Sequence, residues 1–256
     1  MTVRILVKQI GKKKKKMELI ETYHNYLRDI NQFHADKEGL IAALPDPLRG
    51  IIEDHGVLRP QDLSYTELYQ LYVDKLRELA DYELTIDDNN RDCIEQVVAY
   101  MGRNSKFKGS PDKGLIIRGP VGTGKTLLFQ GLRKLYDAFQ YNMTIIDTYD
   151  IAAWYVKSGP SIYDEVFPGG RLDIILSRSD NIVFDDLGAE AESKYYGTNA
   201  NCMGEIVLRR YKAQAKSYFT SNLDIKSLKQ IYGERVTSRL KQMSNDIILK
   251  GDDRRK

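Results

Sequence analysis

The chain has 256 residues, 42% of them apolar and 29% charged, with a formal net charge of +3. That length builds one large domain or two modest ones, each with its own core, and no apolar run approaches the roughly 18–20 residues a membrane span needs. Cys93 and Cys202 lie far apart, and His24, His34 and His55 have no metal spacing; this argues against a disulfide scaffold and a zinc module and fits a reducing, cytoplasmic setting.

The charge is unevenly placed. Residues 1–16 carry 7 basic and no acidic residues, and residues 17–110 carry 10 Lys+Arg against 18 Asp+Glu. Residues 111–256 carry 22 against 18. A basic tip, an acidic middle and a mildly basic remainder suit separate partners for separate segments.

Met1–Ile10 reads as a short strand or a leader, with no small-residue cleavage site behind it, and Lys12–Lys16 is a solvated run. From Met17 to Phe33, Leu19, Ile20, Tyr23, Tyr26, Leu27 and Ile30 recur at three and four, which predicts a helix. Pro45 and Pro47 interrupt, and Leu48–His55 gives a short helix. Ser64 with Glu67 forms a capping box before the periodic run Leu68, Leu71, Tyr72, Leu76, Leu79. Asp87–Met101 predicts a further helix, with Ile94, Val97, Val98 and Met101 on one face.

The polar stretch 102–114, rich in Gly, Ser and Lys, marks a linker. Beyond it, short β-branched runs (Leu115–Ile117, Met143–Ile146, Asn181–Phe184, Ser217–Thr220, Ile247–Leu249) alternate with helical patterns (Lys125–Phe139, Asp150–Lys157, Cys202–Ala215, Ile225–Ile231). Strands spaced this way need crossover helices, so the fold class is α/β with a central parallel sheet flanked by helices, plus a small N-terminal helical domain. The expected organisation is a basic leader over 1–16, a helical partner-binding domain over 17–101, a linker over 102–114 and a nucleotide-binding domain over 115–256.

The segment Gly119, Pro120, Val121, Gly122, Thr123, Gly124, Lys125, Thr126 matches G-x-x-x-x-G-K-[ST], follows a predicted strand and opens a predicted helix that continues with Leu127. Glycines at these places let backbone N–H groups turn inward on phosphate, and the helix N-terminus adds its positive dipole end. Lys125 then reaches the β- and γ-phosphates of ATP, and the Thr126 hydroxyl reaches Mg2+. The apolar strand from Asn181 ends in Asp185 and Asp186. At the carboxyl end of a parallel strand, Asp185 is placed to hold the metal and Asp186 to orient or deprotonate the attacking water. Ser217–Asn222 is a third strand, whose terminal Asn222 serves equally as a turn residue or as a contact to the γ-phosphate. Arg235 and Arg239 lie four apart on one helix face, which is either a solvated surface or an arginine offered in trans to a second chain.

The order of these motifs, with Asp185-Asp-Leu-Gly-Ala-Glu190, Glu192-Ser-Lys-Tyr195, Tyr218–Asn222 and Gly233-Glu-Arg-Val-Thr-Ser-Arg-Leu240, resembles the DnaC/DnaI helicase loaders and the related IstB transposition ATPase over residues 90–256. The resemblance implies an AAA+ ATPase core without a large lid, hydrolysing ATP with Mg2+. It also implies Asn222 as sensor 1, Arg239 as arginine finger with Arg235 as its alternative, and Arg254 as sensor 2. Ser193 and Tyr195 fall where such loaders face single-stranded DNA, and an aromatic face suits stacking on unpaired bases. In two respects the chain departs: the family's Asp-Glu is Asp185-Asp186, and residues 1–110 lack a cysteine-rich zinc module.

Three functions compete on these grounds. The first is a helicase loader, oligomeric with ATP, docking a replicative helicase through the N-terminal helices and binding single-stranded DNA. The second is an IstB-like helper assembling on duplex DNA. The third is a nucleotide-switched scaffold that never meets nucleic acid.

Overall fold

A computed structural model of the chain describes residues 59–139, 141–161, 181–190, 193–195 and 198–254. The expected leader 1–16 with its lysine run, the helices over 17–33 and 48–55 and all three histidines lie outside the described residues. The first described α-helix is α1 (Tyr65–Leu79), and its capping box forms as the sequence predicts. Ser64 Oγ accepts the Glu67 N–H at 3.3 Å, and the Glu67 carboxylate accepts the Ser64 N–H at 2.9 Å. Helix α2 (Arg91–Met101) starts later than expected. The cause is local: the Asp87 carboxylate draws in the N–H groups of Asn89 (2.9 Å) and Asn90 (3.3 Å), holding those residues in a turn.

The elements that follow are β1 (Gly114–Arg118), α3 (Lys125–Ala138), β2 (Met143–Asp147), α4 (Thr148–Ser158), β3 (Asn181–Asp185), β4 (Ser193–Tyr195), β5 (Thr198–Ala200), α5 (Cys202–Lys212), β6 (Ser217–Ser221), α6 (Ile225–Met243) and β7 (Ser244–Ile248). Strands β2-β3-β6-β1-β7 form one sheet, parallel throughout, and β4-β5 form a separate antiparallel pair that the sequence pattern did not announce. The last strand of the large sheet begins at Ser244 rather than Ile247. Its polar start is accommodated because the Asn245 amide donates to the carbonyls of Ser110 (2.8 Å) and Gly114 (2.9 Å), and Asp246 pairs with Arg118 at 2.6 Å.

Side chains alternate across the sheet and divide the core in two. Leu115, Ile117, Val183 and Tyr218 face a cluster made by α1, α2 and α3. Ile116, Ile182, Phe184 and Phe219 face a second cluster made by α4, α5 and α6. Each side chain fully buried in this way contributes about 1.5–3 kcal/mol.

This packing corrects the expected domain division. Helices α1 and α2 do not belong to a separate module: Leu68, Leu71, Tyr72, Leu76, Ile94, Val97 and Val98 sit in one cluster with Phe129, Leu132 and Ile117. The Tyr72 hydroxyl, fully buried, donates to the Leu128 carbonyl of α3 at 2.7 Å. Nor is 102–114 a free linker. Gln96 accepts the Lys108 N–H at 2.8 Å, Tyr100 donates to Lys113 O at 2.7 Å, and Phe107 packs edge-on against Tyr100 at 5.2 Å. Polar composition there reflects an exposed loop whose backbone is satisfied by side chains of its neighbours.

At the amino-terminal edge of the sheet, Tyr218 is wholly buried between Tyr100 and Phe129, with ring centroids 6.2 and 5.8 Å away. Its hydroxyl lies 3.1 Å from that of Tyr100 and donates to Asn181 Oδ1 at 3.2 Å. Burial pushes both phenols well above their ordinary pKa, so they stay neutral hydrogen-bonding groups.

Candidate functional site

The carboxyl ends of β1, β3 and β6 meet at one crevice, where open α/β sheets bind ligands. From β1 the chain enters Gly119–Thr126, with Gly122 at φ 76° and Gly124 at φ 98°, both in the left-handed region closed to most side chains. Gly124 is also the N-cap of α3, and no side chain caps that helix. The first-turn N–H groups therefore face the crevice, the arrangement that receives an anion. Val121 stands exposed at the loop tip, Thr123 is buried and donates to Pro120 O at 2.9 Å, and Leu127 lines both the crevice and the core.

Lys125 is 5% exposed and its ammonium is fully engaged. It donates to Gly119 O (2.9 Å), Pro120 O (2.7 Å) and Asn222 Oδ1 (2.5 Å). Asn222 in turn donates its amide N–H to Asp186 Oδ1 at 3.2 Å. Lys125 at the head of α3 and Asp186 after β3 are thus bridged through the one amide of Asn222, which lines the crevice.

Thr126 Oγ1 donates to both oxygens of Asp185, each at 3.0 Å. Burial raises the Asp185 pKa, opposed by hydrogen bonds from Thr220 and Thr126 and reinforced by the charges of Asp186 and Asp147. The pair suits a magnesium ion. Two hard oxygens ligating side by side at about 2.1 Å lie about 3 Å apart in an octahedron, which is the separation the hydroxyl and carboxylate show.

Thr220 is the residue that sequence reasoning missed. Its hydroxyl donates to Asp185 Oδ1 at 2.6 Å and accepts the Asp186 N–H at 2.7 Å. Because β6 lies between β1 and β3, a short polar side chain near its carboxyl end touches both acidic residues. The Thr-Ser-Asn run closing that strand was the available signal. Asp186 itself adopts φ 57°, the left-handed region that Asp tolerates better than most residues, and Thr148 of α4 donates to its carbonyl at 3.0 Å.

The crevice is a cavity of about 360 Å³ reaching from Lys125, Thr126, Asp186 and Asn222 across Gly124 to Leu79–Tyr82. The remaining predicted residues fall elsewhere. Arg239 lies in a groove between α5 and α6 that shares no lining residue with the crevice. Its guanidinium covers the Tyr211 ring at 4.6 Å and donates to Gln242 at 2.8 Å, while Arg235 is exposed on the same groove. Arg254 does not line the crevice. Its Nη2 donates to both Asp87 oxygens at 2.9 and 2.8 Å, and its backbone N–H donates to Gly122 O at 3.0 Å, so it buttresses the loop from outside. Ser193 and Tyr195 lie on β4, across from Ala200 and Thr198 of β5. No helix among the described residues is long and apolar enough to cross a membrane.

The parallel sheet and the glycine-lined loop that opens α3 define an α/β core of the P-loop type. The chain matches no protein-family model and no curated protein. Among solved structures it is similar to the DnaC helicase loader, at 22% identity over 71% of this chain and 99% of that one, with a TM-score of 0.49. It is also similar to DnaI, at 19% identity over 73% and 93% of the two chains, with a TM-score of 0.48. A third is AMPPCP-bound DnaA from Aquifex aeolicus, at 18% identity over 66% and 49%, with a TM-score of 0.44. At these identities the likeness concerns the fold.

Proposed function

We propose that the chain is an ATPase that assembles on single-stranded DNA and loads a replicative helicase. The observation that carries the enzymatic half is the convergence of Lys125, Thr126, Asp185, Asp186 and Asn222 within hydrogen-bond reach of one another on three strand ends. Lys125 directs its charge to two loop carbonyls and Asn222. A triphosphate offers it stronger, charged acceptors. The first-turn N–H groups of α3 take the β-phosphate. Thr126 and Asp185 would hold Mg2+, which when bound would neutralise negative charge developing on the phosphates. Asn222, released by Lys125, is left to contact the γ-phosphate. Asp186 orients or deprotonates the attacking water. Its side chain is one methylene shorter than glutamate, so turnover is slow unless a second copy completes the site.

Arg239, with Arg235 beside it, supplies that completion in trans. The loader role rests on the motif order over residues 90–256 and on the acidic balance of residues 17–110, which suits docking to a basic partner surface. Ser193 and Tyr195 on β4 are assigned to the DNA strand. A second reading, an IstB-like helper coating duplex DNA, is favoured by the Asp185-Asp186 pair and by the basic Lys12–Lys16 tip.

The deciding measurement is ATP turnover across protein concentration, with and without single-stranded DNA, in the full chain and in Arg239→Ala. Turnover per chain should rise with concentration and with single-stranded DNA. Arg239→Ala should keep nucleotide binding and lower turnover on the order of 10³-fold. Stimulation by duplex alone would favour the second reading, and a rate independent of concentration and of Arg239 would remove the trans-acting arginine.

A further inference from the structure

Glu190 lies four residues past Asp186, and neither the phosphate loop nor the acidic strand end uses it. Its carboxylate closes the turn that Asp186 opens: Oε2 accepts the Gly188 N–H at 2.8 Å, while the Ala189 N–H donates to Asp186 O at 2.9 Å. The other oxygen, Oε1, accepts a short hydrogen bond from the hydroxyl of Tyr232 on α6. Tyr232 is 6% exposed and packs in the cluster beneath α4, α5 and α6; burial, then the neighbouring Glu190 charge, holds its phenol protonated, so it remains the donor.

The residue after Tyr232 is Gly233, where α6 breaks. Its φ 80°, ψ 170° belongs to a region that is essentially glycine-only, and a Cβ built there would meet nothing within 4 Å. Beyond the break the helix resumes and carries Arg235 and Arg239. The contacts therefore form an unbroken line. It runs from Lys125 to Asn222, to Asp186, through the 186–190 turn to Glu190, and on to Tyr232 and the Gly233 break. The turn is fastened independently to β6, since Leu187 N–H donates to Thr220 O at 2.8 Å and Ser221 Oγ donates to Leu187 O at 2.6 Å. Asp186 and Glu190 thus belong to one stiffly held turn rather than to slack backbone.

We propose that Glu190 is a positioning residue. Through Tyr232 it ties the γ-phosphate end of its own chain's site to the Gly233 break, and so sets where that chain presents Arg235 and Arg239 to a second copy. The inference rests on the ATPase reading above. Its physical content is a two-state element, the break at Gly233, biased from the nucleotide site through one carboxylate–phenol hydrogen bond. The chain that loses the link keeps its own catalytic residues but offers a misplaced arginine.

Mixed assemblies of full-length chains separate this role from a role inside the site. Arg239→Ala has an intact site and no finger. Mixed with Asp186→Asn, which has a disabled site and an intact finger, it should recover turnover. Mixed with Glu190→Gln or Tyr232→Phe, it should recover about tenfold less, although each of those variants binds a fluorescent ATP analogue as the unsubstituted chain does and melts as a folded protein. Full recovery with Glu190→Gln would place Glu190 in its own site and overturn the proposal. Gly233→Ala, for which there is room, should shift the protein concentration giving half-maximal turnover; an unchanged midpoint would overturn the hinge. If Arg239→Ala alone turns over like the unsubstituted chain, the trans-arginine reading itself has failed, a result distinct from either.

Discussion

The two ends of the central sheet are built from the same strands and behave as opposites. At the amino-terminal edge, Tyr218 is enclosed by Tyr100 and Phe129, with its hydroxyl placed between Tyr100 and Asn181. Nothing there is exchangeable without loss. At the carboxyl edge, Lys125, Asn222, Asp185 and Asp186 are satisfied by one another and by loop carbonyls, and these are the groups a charged ligand would re-pair. One edge is a finished piece of core, and the other is a set of polar groups in an arrangement that a stronger partner can displace. A parallel sheet makes this division natural, because only its carboxyl edge presents loops that open onto helix N-termini.

The comparison can be broken by substitutions at either edge. Lys125→Ala should show the largest effect. Losing two charge-assisted bonds to phosphate is worth about 3–6 kcal/mol, so affinity for ATP, followed by fluorescence of an analogue, should fall more than about 100-fold, with a small change in thermal midpoint. Tyr218→Ala should do the reverse: a cavity and orphaned hydroxyls cost about 3–5 kcal/mol of stability, read by denaturant unfolding, while the folded fraction binds ATP normally. Were Tyr218→Ala to weaken ATP binding as strongly as Lys125→Ala, the edges would not be independent. Arg103→Ala sharpens the contrast at the small end. Its pair with Asp112 is exposed, so the change should stay below about 0.5 kcal/mol and leave nucleotide binding untouched.

Much of the carboxyl edge was legible in the sequence. The phosphate loop, Asp185 and Asp186 are recognisable because strand, glycines and helix follow one another within a short stretch. The strand over Asn181–Phe184 and the helix over Lys125–Phe139 were placed to within a residue or so. Thr220 was not read as a site residue, because its partners come from another strand and depend on which strand lies between β1 and β3, which periodicity does not encode. The expected helix over Ile225–Ile231 stops just ahead of Gly233, and Arg235 and Arg239 fall on a helix face beyond it; what the sequence does not carry is the contact from Glu190 that meets the break. The error over 102–114 came from composition. Polar, glycine-containing loops and polar linkers look alike until Gln96, Tyr100 and Asn245 are seen bonding the loop's backbone. Arg254, expected as a nucleotide sensor, pairs with Asp87 and bonds the phosphate loop at Gly122, contacts that periodicity does not encode.

The interposition of β6 between β1 and β3 has a bearing on which lengths of chain the fold tolerates. Tyr218 and Thr220 face one side of the sheet and Phe219 the other, so adding or deleting a single residue in 213–216 while keeping the strand seated would invert all three at once. The aromatic seal at one edge and the hydroxyl that steadies both aspartates at the other would be lost in the same slip. The connection ahead of β6 should therefore accept changes of side chain far more readily than changes of count.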